Sequence, residues 1–574
     1  MGSLEADLRH RLQSAFTAVA GDGADAALRR SKVADYQADG ALALGGRLGR
    51  VPRRIAEEVV AAADLTPLCR HVEVAGPGFI NLTIADDTLG ARATAALTDE
   101  RLRVELTAAP QRIIVDYSAP NVAKEMHVGH LRSTVIGDAL VRLLEWVGHD
   151  VRRENHIGDW GTPFGMLIEH LVDVEETDGA GGRSAAELTA FYRAASTKFA
   201  DDPDFARRAR ERVVLLQNGD GETRELWSRL VASSMVYFGE VYRRLDVRLA
   251  SDDVVGESHY HDDLPATVAE LDGLGLLSDS DGALCVFPDG FSNRHGDPLP
   301  LIVQKSDGGF GYASTDLATI RQRFGELGAD RVLYVVGLPQ RQHLEMVFAA
   351  ARQAGWLTDD REAVHVGFGS VLDRDRRLLR SRSGEAVTLT DLLDEALRRA
   401  AAAVADKSPD LTPEEQTVVA TQVGIGAVKY ADLANERHKD YVFDYDRMVA
   451  FEGATAPYIQ YAHARIHSIS RRGGVDLAAV TGPVVIGHRR EHELALELLG
   501  FPDVVANAAD SLELHPLCRH LHDVAVAFSS FYDDCPVLGA EPEVRRARLA
   551  LCLLTARTLA QGLDLLGIAA PRRM

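Results

Sequence analysis

The segment Ser118–Leu140, which reads SAPNVAKEMHVGHLRSTVIGDAL, constrains the fold more than any other part of the chain. The run RIIVDYS that leads into it is short, β-branched and apolar, and this pattern predicts a buried strand. From Leu131 onward the apolar residues recur about 3.6 positions apart, which predicts a helix. His127 and His130 therefore lie i,i+3 on the first turn of a helix that follows a strand.

Such a helix start offers free backbone N–H groups and the positive end of the helix dipole, which favour an anion such as a triphosphate. Gly129 would let the anion approach the backbone, and the imidazoles of His127 and His130 could donate hydrogen bonds to its oxygens. Lys124 adds a full positive charge just upstream. The same residues could instead be helix caps or surface side chains. We expect no zinc, because no third His or Cys cluster stands at ligand spacing.

Length, cysteine content and charge narrow the class of protein. A chain of 574 residues is too long for one core and predicts roughly three or four domains. No run approaches the ~20 apolar residues of a membrane span, and the N-terminus lacks a secretory pattern, so we expect a cytoplasmic protein. Five cysteines without CxxC spacing indicate reduced thiols. The net charge of -22 does not exclude a nucleic-acid partner, because clusters of basic residues can bind phosphates locally on an acidic protein.

The pattern along the chain predicts three regions. Residues 1–108 mix helix and strand signals and predict a small α+β domain. Residues 109–405 alternate strand and helix patterns, which predicts a doubly wound parallel sheet with a helical insertion near 184–245. Residues 406–574, after a linker around Pro409, carry almost only helical periodicity. The fold class is therefore multidomain α/β with an all-helical C-terminal domain.

The segment Ser118–Leu140 resembles the HIGH motif of class I aminoacyl-tRNA synthetases, in the form found in the arginine-specific enzymes. The resemblance implies a Rossmann-type catalytic domain, an N-terminal domain that touches tRNA, and a C-terminal domain that reads the anticodon. It also implies ATP with Mg²⁺, L-arginine and tRNA(Arg) as substrates, and we expect a monomer. Four further internal blocks resemble this family in its order: Glu154–Gly165, Lys305–Ala318, Arg380–Ala396 and Phe451–Ile469.

An arginine substrate requires carboxylates that can bind its planar guanidinium. The resemblance assigns Asp116, Tyr312 and Asp316 to the guanidinium side of the pocket. It assigns Asn121 and Gln340 to the amino-acid end. Asp316 could instead stabilise the start of its helix, and Gln340 could be an ordinary loop residue.

The second ATP motif of class I synthetases, KMSKS, is missing from this sequence. Arg380, Ser381 and Arg382 stand in its place, and the resemblance assigns them to ATP together with the histidine turn. Arginine enzymes with a degenerate loop keep a lysine ahead of the histidine motif, which implies that Lys124 is a catalytic cation beside the two histidines.

Two alternatives to a tRNA-charging enzyme remain at this point. A paralogue could supply activated arginine or arginyl-tRNA to a specialised pathway, and the sequence does not separate the two. A non-catalytic tRNA-binding protein is less favoured, because the candidate residues of the site are all retained.

Overall fold

The computed structural model describes residues 2–174, 185–379 and 387–574. The predicted fold class is confirmed: an α+β region, a region with a parallel sheet, and a helical region follow one another along the chain. The predicted boundaries near residues 108 and 405 stay predictions. Within the described ranges, no helix is both long and apolar enough to cross a membrane.

The first region is built on an antiparallel sheet. Ser3 starts the first helix, because its hydroxyl accepts a hydrogen bond from the backbone N–H of Ala6 at 3.0 Å. The glycine-rich stretch GALALGGRL also forms a helix, whose Ala41 and Leu44 are buried. The elements are α1 (Leu4–Ala20), β1 (Leu28–Arg30), β2 (Tyr36–Ala38), α2 (Gly40–Leu48), α3 (Pro52–Ala62), β3 (Cys69–Ala75), β4 (Phe79–Ile84) and α4 (Asp86–Thr98), and the strands lie in the order β1, β2, β4, β3.

The second region contains the predicted parallel sheet and the predicted helical insertion. A small antiparallel sheet that the sequence did not reveal stands before the helix that begins at Tyr312. The elements are β5 (Arg112–Asp116), α5 (Val128–Trp146), β6 (Asp150–Glu154), α6 (Thr162–Asp173), α7 (Ala185–Asp201), α8 (Pro203–Gln217), α9 (Gly221–Leu245), α10 (Leu264–Gly273), β7 (Ser278–Ser280), β8 (Ala283–Val286), β9 (Leu301–Gln304), α11 (Tyr312–Gly325), β10 (Arg331–Tyr334), α12 (Arg341–Gln353), β11 (Glu362–His365), β12 (Val371–Leu372) and α13 (Leu389–Lys407).

Four parallel strands form the central sheet, in the order β11, β10, β5, β6. The chain runs from β5 to β6 on one side and later returns to β10 and β11 on the other. The strand order therefore reverses between β5 and β10, and doubly wound sheets bind ligands outside the carboxyl ends of the strands at such a point. Helix α5 follows β5, and the short turn Leu338–Gln340 follows β10.

The third region is helical, as predicted, apart from one two-residue strand. That strand pairs in parallel with β12 of the second region, so the two regions share a small sheet. The elements are α14 (Pro413–Leu433), β13 (Tyr441–Val442), α15 (Tyr445–Met448), α16 (Ala456–Gly473), α17 (Arg489–Leu498), α18 (Phe501–Ser511), α19 (His515–Asp534) and α20 (Pro542–Leu565).

A buried ion pair joins the second and third regions. The side chain of Arg132, on α5, is 1% exposed, and its Nε donates to Oδ1 of Asp432, on α14, at 3.2 Å. Its Nη1 donates to the carbonyl oxygens of Gly369 at 2.8 Å and Lys439 at 3.2 Å. One guanidinium therefore fixes the helix of the histidine turn, the segment that leads into β12, and the C-terminal region relative to one another.

Replacing Asp432 with alanine should destabilise the protein strongly. Breaking one partner of a buried ion pair typically costs about 3–5 kcal/mol, because the other charge is left uncompensated. The measurement is urea unfolding followed by circular dichroism. The control Glu345→Ala removes an exposed pair with Arg341 and should cost less than about 1 kcal/mol. An Asp432→Ala variant as stable as this control would show that the pair does not hold the regions together.

Candidate active site

The two histidines of the predicted turn cap the start of α5. His127 is the N-cap residue, and its Nδ1 accepts a hydrogen bond from the backbone N–H of Gly129 at 3.1 Å. Nδ1 of His130 accepts from the backbone N–H of His127 at 3.0 Å. The two rings lie 4.0 Å apart, centre to centre. Capping and the proposed phosphate-binding role are thus compatible, because capping uses only one nitrogen of each ring.

This arrangement fixes the protonation of both imidazoles. Since Nδ1 accepts in each ring, a neutral ring carries its proton on Nε2. Burial, together with the nearby His127 and the charge of Lys124, lowers the pKa of His130 to about 3. Burial, and then Lys124, also lower the pKa of His127. Both rings are therefore neutral near pH 7, with an Nε2–H donor available.

Gly129 is required by the fold of the turn itself. A Cβ atom at this position would stand 2.9 Å from Cε1 and 3.0 Å from Nδ1 of His127. The imidazole would have to move away from the backbone N–H that it caps. Glycine here keeps the ring of His127 in place, in addition to the predicted access for an anion.

The loop between β5 and α5 contains strained backbone. Ser118, Ala119 and Ala123 have φ values of 73°, 46° and 59°, in the left-handed region that non-glycine residues rarely occupy. Such strain persists where surrounding contacts enforce it, and it clusters at functional sites. Asn121, in the same loop, is exposed, and its backbone pairs with that of Gly158.

Asp116, at the carboxyl end of β5, is already engaged inside the protein. Its Oδ2 accepts from Nη2 of Arg323, on α11, at 2.8 Å. Nε of Arg323 donates to Oε2 of Glu154, the last residue of β6, at 2.8 Å. The side chain of Arg323 is fully buried. An internal guanidinium thus stands where the sequence suggested a substrate guanidinium, and direct substrate binding by Asp116 stays a prediction.

The start of α11 presents the other two predicted guanidinium ligands. Tyr312 is its first residue and is 74% exposed. Asp316 follows one turn later, and its Oδ2 accepts from Nε2 of His343, on α12, at 2.6 Å. This hydrogen bond raises the pKa of His343. Gln340 lies at the end of the turn that follows β10 and is exposed.

Sequence reasoning missed two acidic residues, Asp159 and Glu257, of which Glu257 lies close enough to Asp316 for that carboxylate to raise its pKa. Asp159 is 4% exposed and accepts hydrogen bonds from the backbone and the hydroxyl of Ser258 at 2.8 and 2.7 Å. Burial, and then the carboxylates of Asp159 and Asp316, raise the pKa of Glu257 to about 8. Asp159 lies in the block Glu154–Gly165 that resembles the family, and Glu257 lies where the chain returns to the sheet after the insertion, close to the pairing of Val254 with Asn155.

The remaining predicted residues are those assigned to the phosphates of ATP. Lys124 is exposed and lies close enough to both histidines for its charge to lower their pKa values. Arg380, Ser381 and Arg382 lie outside the described residues. Over the described ranges no group of three or more His, Cys, Asp or Glu residues could hold a metal ion.

Three family models match successive parts of the chain. The model of the arginyl tRNA synthetase N-terminal domain matches residues 3–84. The model of the catalytic domain of class I (R) tRNA synthetases matches residues 92–445, and the DALR anticodon binding domain model matches residues 459–574. The order of the three matches is that of the three structural regions.

Curated relatives and solved structures agree with these matches. The chain is 53% identical over 571 residues to an arginine–tRNA ligase of Thermobifida fusca, which covers 99% of both chains. It is 50% identical over 560 residues to that of Frankia casuarinae, which covers 96% of this chain and 95% of the relative. The arginyl-tRNA synthetase structures of Plasmodium falciparum and Thermus thermophilus superpose with TM-scores of 0.86 and 0.83 at 27% identity, over 99% or more of each chain.

The reversing parallel sheet, the histidine turn at its carboxyl edge and the helical region that follows define a class I aminoacyl-tRNA synthetase. The chain belongs to the arginyl-tRNA synthetase family. It is an enzyme, its function is arginine–tRNA ligation, and this class of enzymes uses ATP. The relatives give no support to the alternative of a specialised paralogue.

His130→Asn should separate the capping role of this residue from its proposed chemical role. The asparagine amide can still accept from the backbone N–H of His127, but the Nε2–H donor is lost. Removing one preorganised donor typically costs about 100- to 1000-fold in rate, and we expect this loss in single-turnover adenylate formation. The control His130→Gln places an amide N–H near the position of Nε2 and should lose less. Equal losses in the two variants would exclude a donor role for Nε2.

Proposed function

We propose that the enzyme activates L-arginine with ATP and then transfers the arginyl group to the 3′ end of tRNA(Arg), at the edge where the strand order reverses. Two helix starts, with opposite chemistry, face this edge. The start of α5 carries neutral imidazole donors and Lys124, and α11 carries Asp316 beside Glu257. The observation that carries the proposal is this pairing of an end with imidazole donors and a lysine with an end rich in carboxylates.

On the ATP side, Nε2–H of His127 and of His130 would donate to phosphate oxygens as negative charge builds up around the α-phosphorus. Lys124 would add a full charge, and neutral donors cost no proton rearrangement during the reaction. Gly129 would hold the turn in the required shape. Arg380, Ser381 and Arg382 are proposed to supply further phosphate contacts. Mg²⁺ would arrive with ATP as part of the substrate.

On the arginine side, the guanidinium would pair with Asp316 and Glu257 and stack against the exposed ring of Tyr312. The hydrogen bond from His343 leaves Oδ1 of Asp316 available for the substrate. Lysine or citrulline would leave at least one of these acids without a partner, which gives specificity. Asn121 and Gln340 would hold the amino-acid end.

Asp116 is proposed to act on the substrate through Arg323. Its carboxylate and that of Glu154 hold Arg323 at the carboxyl ends of β5 and β6. Because Arg323 belongs to α11, this pairing sets where the start of that helix presents Tyr312 and Asp316.

The remaining parts of the proposal concern tRNA and the cell. The helical C-terminal region would bind the anticodon, and the partly exposed stack of Arg465 between Tyr461 and Tyr532 would suit unpaired bases. Class membership suggests that the 2′-hydroxyl of the terminal adenosine attacks the adenylate. We also propose that the protein is a cytoplasmic monomer.

The direct test of the function is tRNA charging with each of the twenty amino acids, which should give product with arginine alone. Charging with a different amino acid would overturn it.

Asp316→Ala should raise the KM for arginine by roughly 10- to 100-fold, because a hydrogen bond between charged groups is lost. The KM for ATP should change little, since the residue lies on the other side of the site. Steady-state kinetics of ATP–pyrophosphate exchange in the presence of tRNA measures both constants. The control Asp359→Ala removes an exposed carboxylate elsewhere and should change neither. An equal rise of both constants in Asp316→Ala would remove Asp316 from the arginine pocket.

The acidic pair also predicts a pH dependence. With its pKa raised to about 8, Glu257 keeps its proton at neutral pH in the free enzyme, and only the ionised form can pair with the guanidinium. Raising the pH from about 7 to about 8.5 should therefore increase kcat/KM for arginine by roughly five- to tenfold. Glu257→Gln cannot ionise and should lose this rise. A variant that keeps the wild-type profile would show that another group titrates.

A further inference from the structure

The helical insertion holds the backbone of the loop that carries Lys124. Three hydrogen bonds run from backbone N–H groups of the loop to side chains of the insertion. The N–H of Ala123 donates to Oγ of Ser234 at 2.9 Å. The N–H groups of Glu125 and Met126 donate to hydroxyl oxygens of Thr189 at 3.1 Å and Tyr237 at 3.2 Å. The strained loop is therefore fixed from outside the sheet, by helices α7 and α9.

Helix α7 also contacts the side chain of Lys124. Its Nζ lies 4.4 Å from the ring centre of Tyr192. Thr189 and Tyr192 are i,i+3 on α7, so they share one face of that helix. The same helix face thus contacts the loop twice, at the backbone of Glu125 and at the ammonium of Lys124.

The contact with an aromatic ring leaves the positive charge of Lys124 uncompensated, as a contact with a carboxylate would not. Across residues 2–174, 185–379 and 387–574, Lys124 forms no salt bridge with a carboxylate. An aromatic ring attracts an ammonium through its quadrupole and leaves the positive charge uncompensated. A carboxylate in the same place would neutralise that charge before a phosphate arrived. Tyr192 therefore restrains Lys124 and still leaves its charge available to a triphosphate.

Two electrostatic effects locate this pair within the site. The charge of Lys124 lowers the pKa of both His127 and His130, so the ammonium lies on the side of the histidine turn. Tyr192 contributes to the raised pKa of Tyr312, after burial and Glu257, so it also lies near the start of α11.

We propose that Tyr192 is a positioning residue for adenylate formation, which holds the Lys124 ammonium against the triphosphate while Thr189 fixes the backbone beside it. The helical insertion is then part of the catalytic apparatus and not only a peripheral addition. This inference rests on the role of Lys124 given under the proposed function.

The test compares Tyr192→Leu with Tyr192→Phe in single-turnover adenylate formation, with ATP, arginine and tRNA saturating. Loss of the ring should slow the step by roughly 3- to 30-fold, which is the range of a cation–π contact. The KM for arginine should change little, and Tyr192→Phe, which keeps the ring, should retain most of the rate. Phe199→Leu is the matched control, because Phe199 lies on the same helix as Tyr192 but away from the loop, and its ring makes a cation–π contact with Arg210 of α8. It should leave the rate unchanged.

A double-mutant cycle with Lys124→Met separates positioning from a general effect on folding. In the Lys124→Met background, Tyr192→Leu should cause no further loss, because the ammonium that it positions is gone. If Lys124→Met is slow while Tyr192→Leu keeps the full rate, the role of Tyr192 is overturned and that of Lys124 stands. The same holds if the losses of the two single variants multiply in the double variant. A Lys124→Met variant at the wild-type rate would overturn the role of Lys124 and this inference together.

Discussion

One buried guanidinium ties helix α11, which carries the acidic half of the proposed active site, to the strand that leads into the histidine turn. Arg323, on α11, pairs with Asp116 at the end of β5 and with Glu154 at the end of β6, and its guanidinium lies 5.0 Å from the ring centre of Tyr334 at the end of β10. Three parallel strands therefore converge on a single side chain at their carboxyl ends. A buried arginine without its carboxylates would be very costly, so the helix cannot shift without disturbing the sheet.

The chemistry of the site follows from what this arrangement leaves exposed. The start of α5 keeps two neutral imidazoles, because burial lowers the pKa of each ring and each Nδ1 is occupied by a backbone N–H. The start of α11 gathers acids, and their mutual repulsion contributes to the raised pKa of Glu257. A polyanion such as ATP would complement the donors and the lysine at the start of α5. A cationic amino acid would complement the carboxylates at the start of α11. Binding and reactivity thus depend on the same distribution of charge.

The features that could be predicted from the sequence are local ones. The strand, the turn and the helix around His127 and His130 follow from periodicity within about thirty residues. The pairs that complete the site join distant positions: Asp116 and Arg323 are 207 residues apart, and Arg132 and Asp432 are 300 apart. No local pattern marks such pairs. Glu257 was missed because it begins a short 3-10 helix (Glu257–Asp263), which has no sequence periodicity to mark it. Asp116 was assigned to the substrate because nothing in the sequence pointed to its internal partner Arg323.

The most direct measurement of the central claim is a crystal structure of the enzyme with bound L-arginine. Arg323 should remain paired with Asp116 and Glu154, and the guanidinium of the substrate should lie within hydrogen-bonding distance of the Asp316 carboxylate. A substrate guanidinium bound to Asp116 with Arg323 displaced, or one that points into solvent away from Asp316, would contradict it.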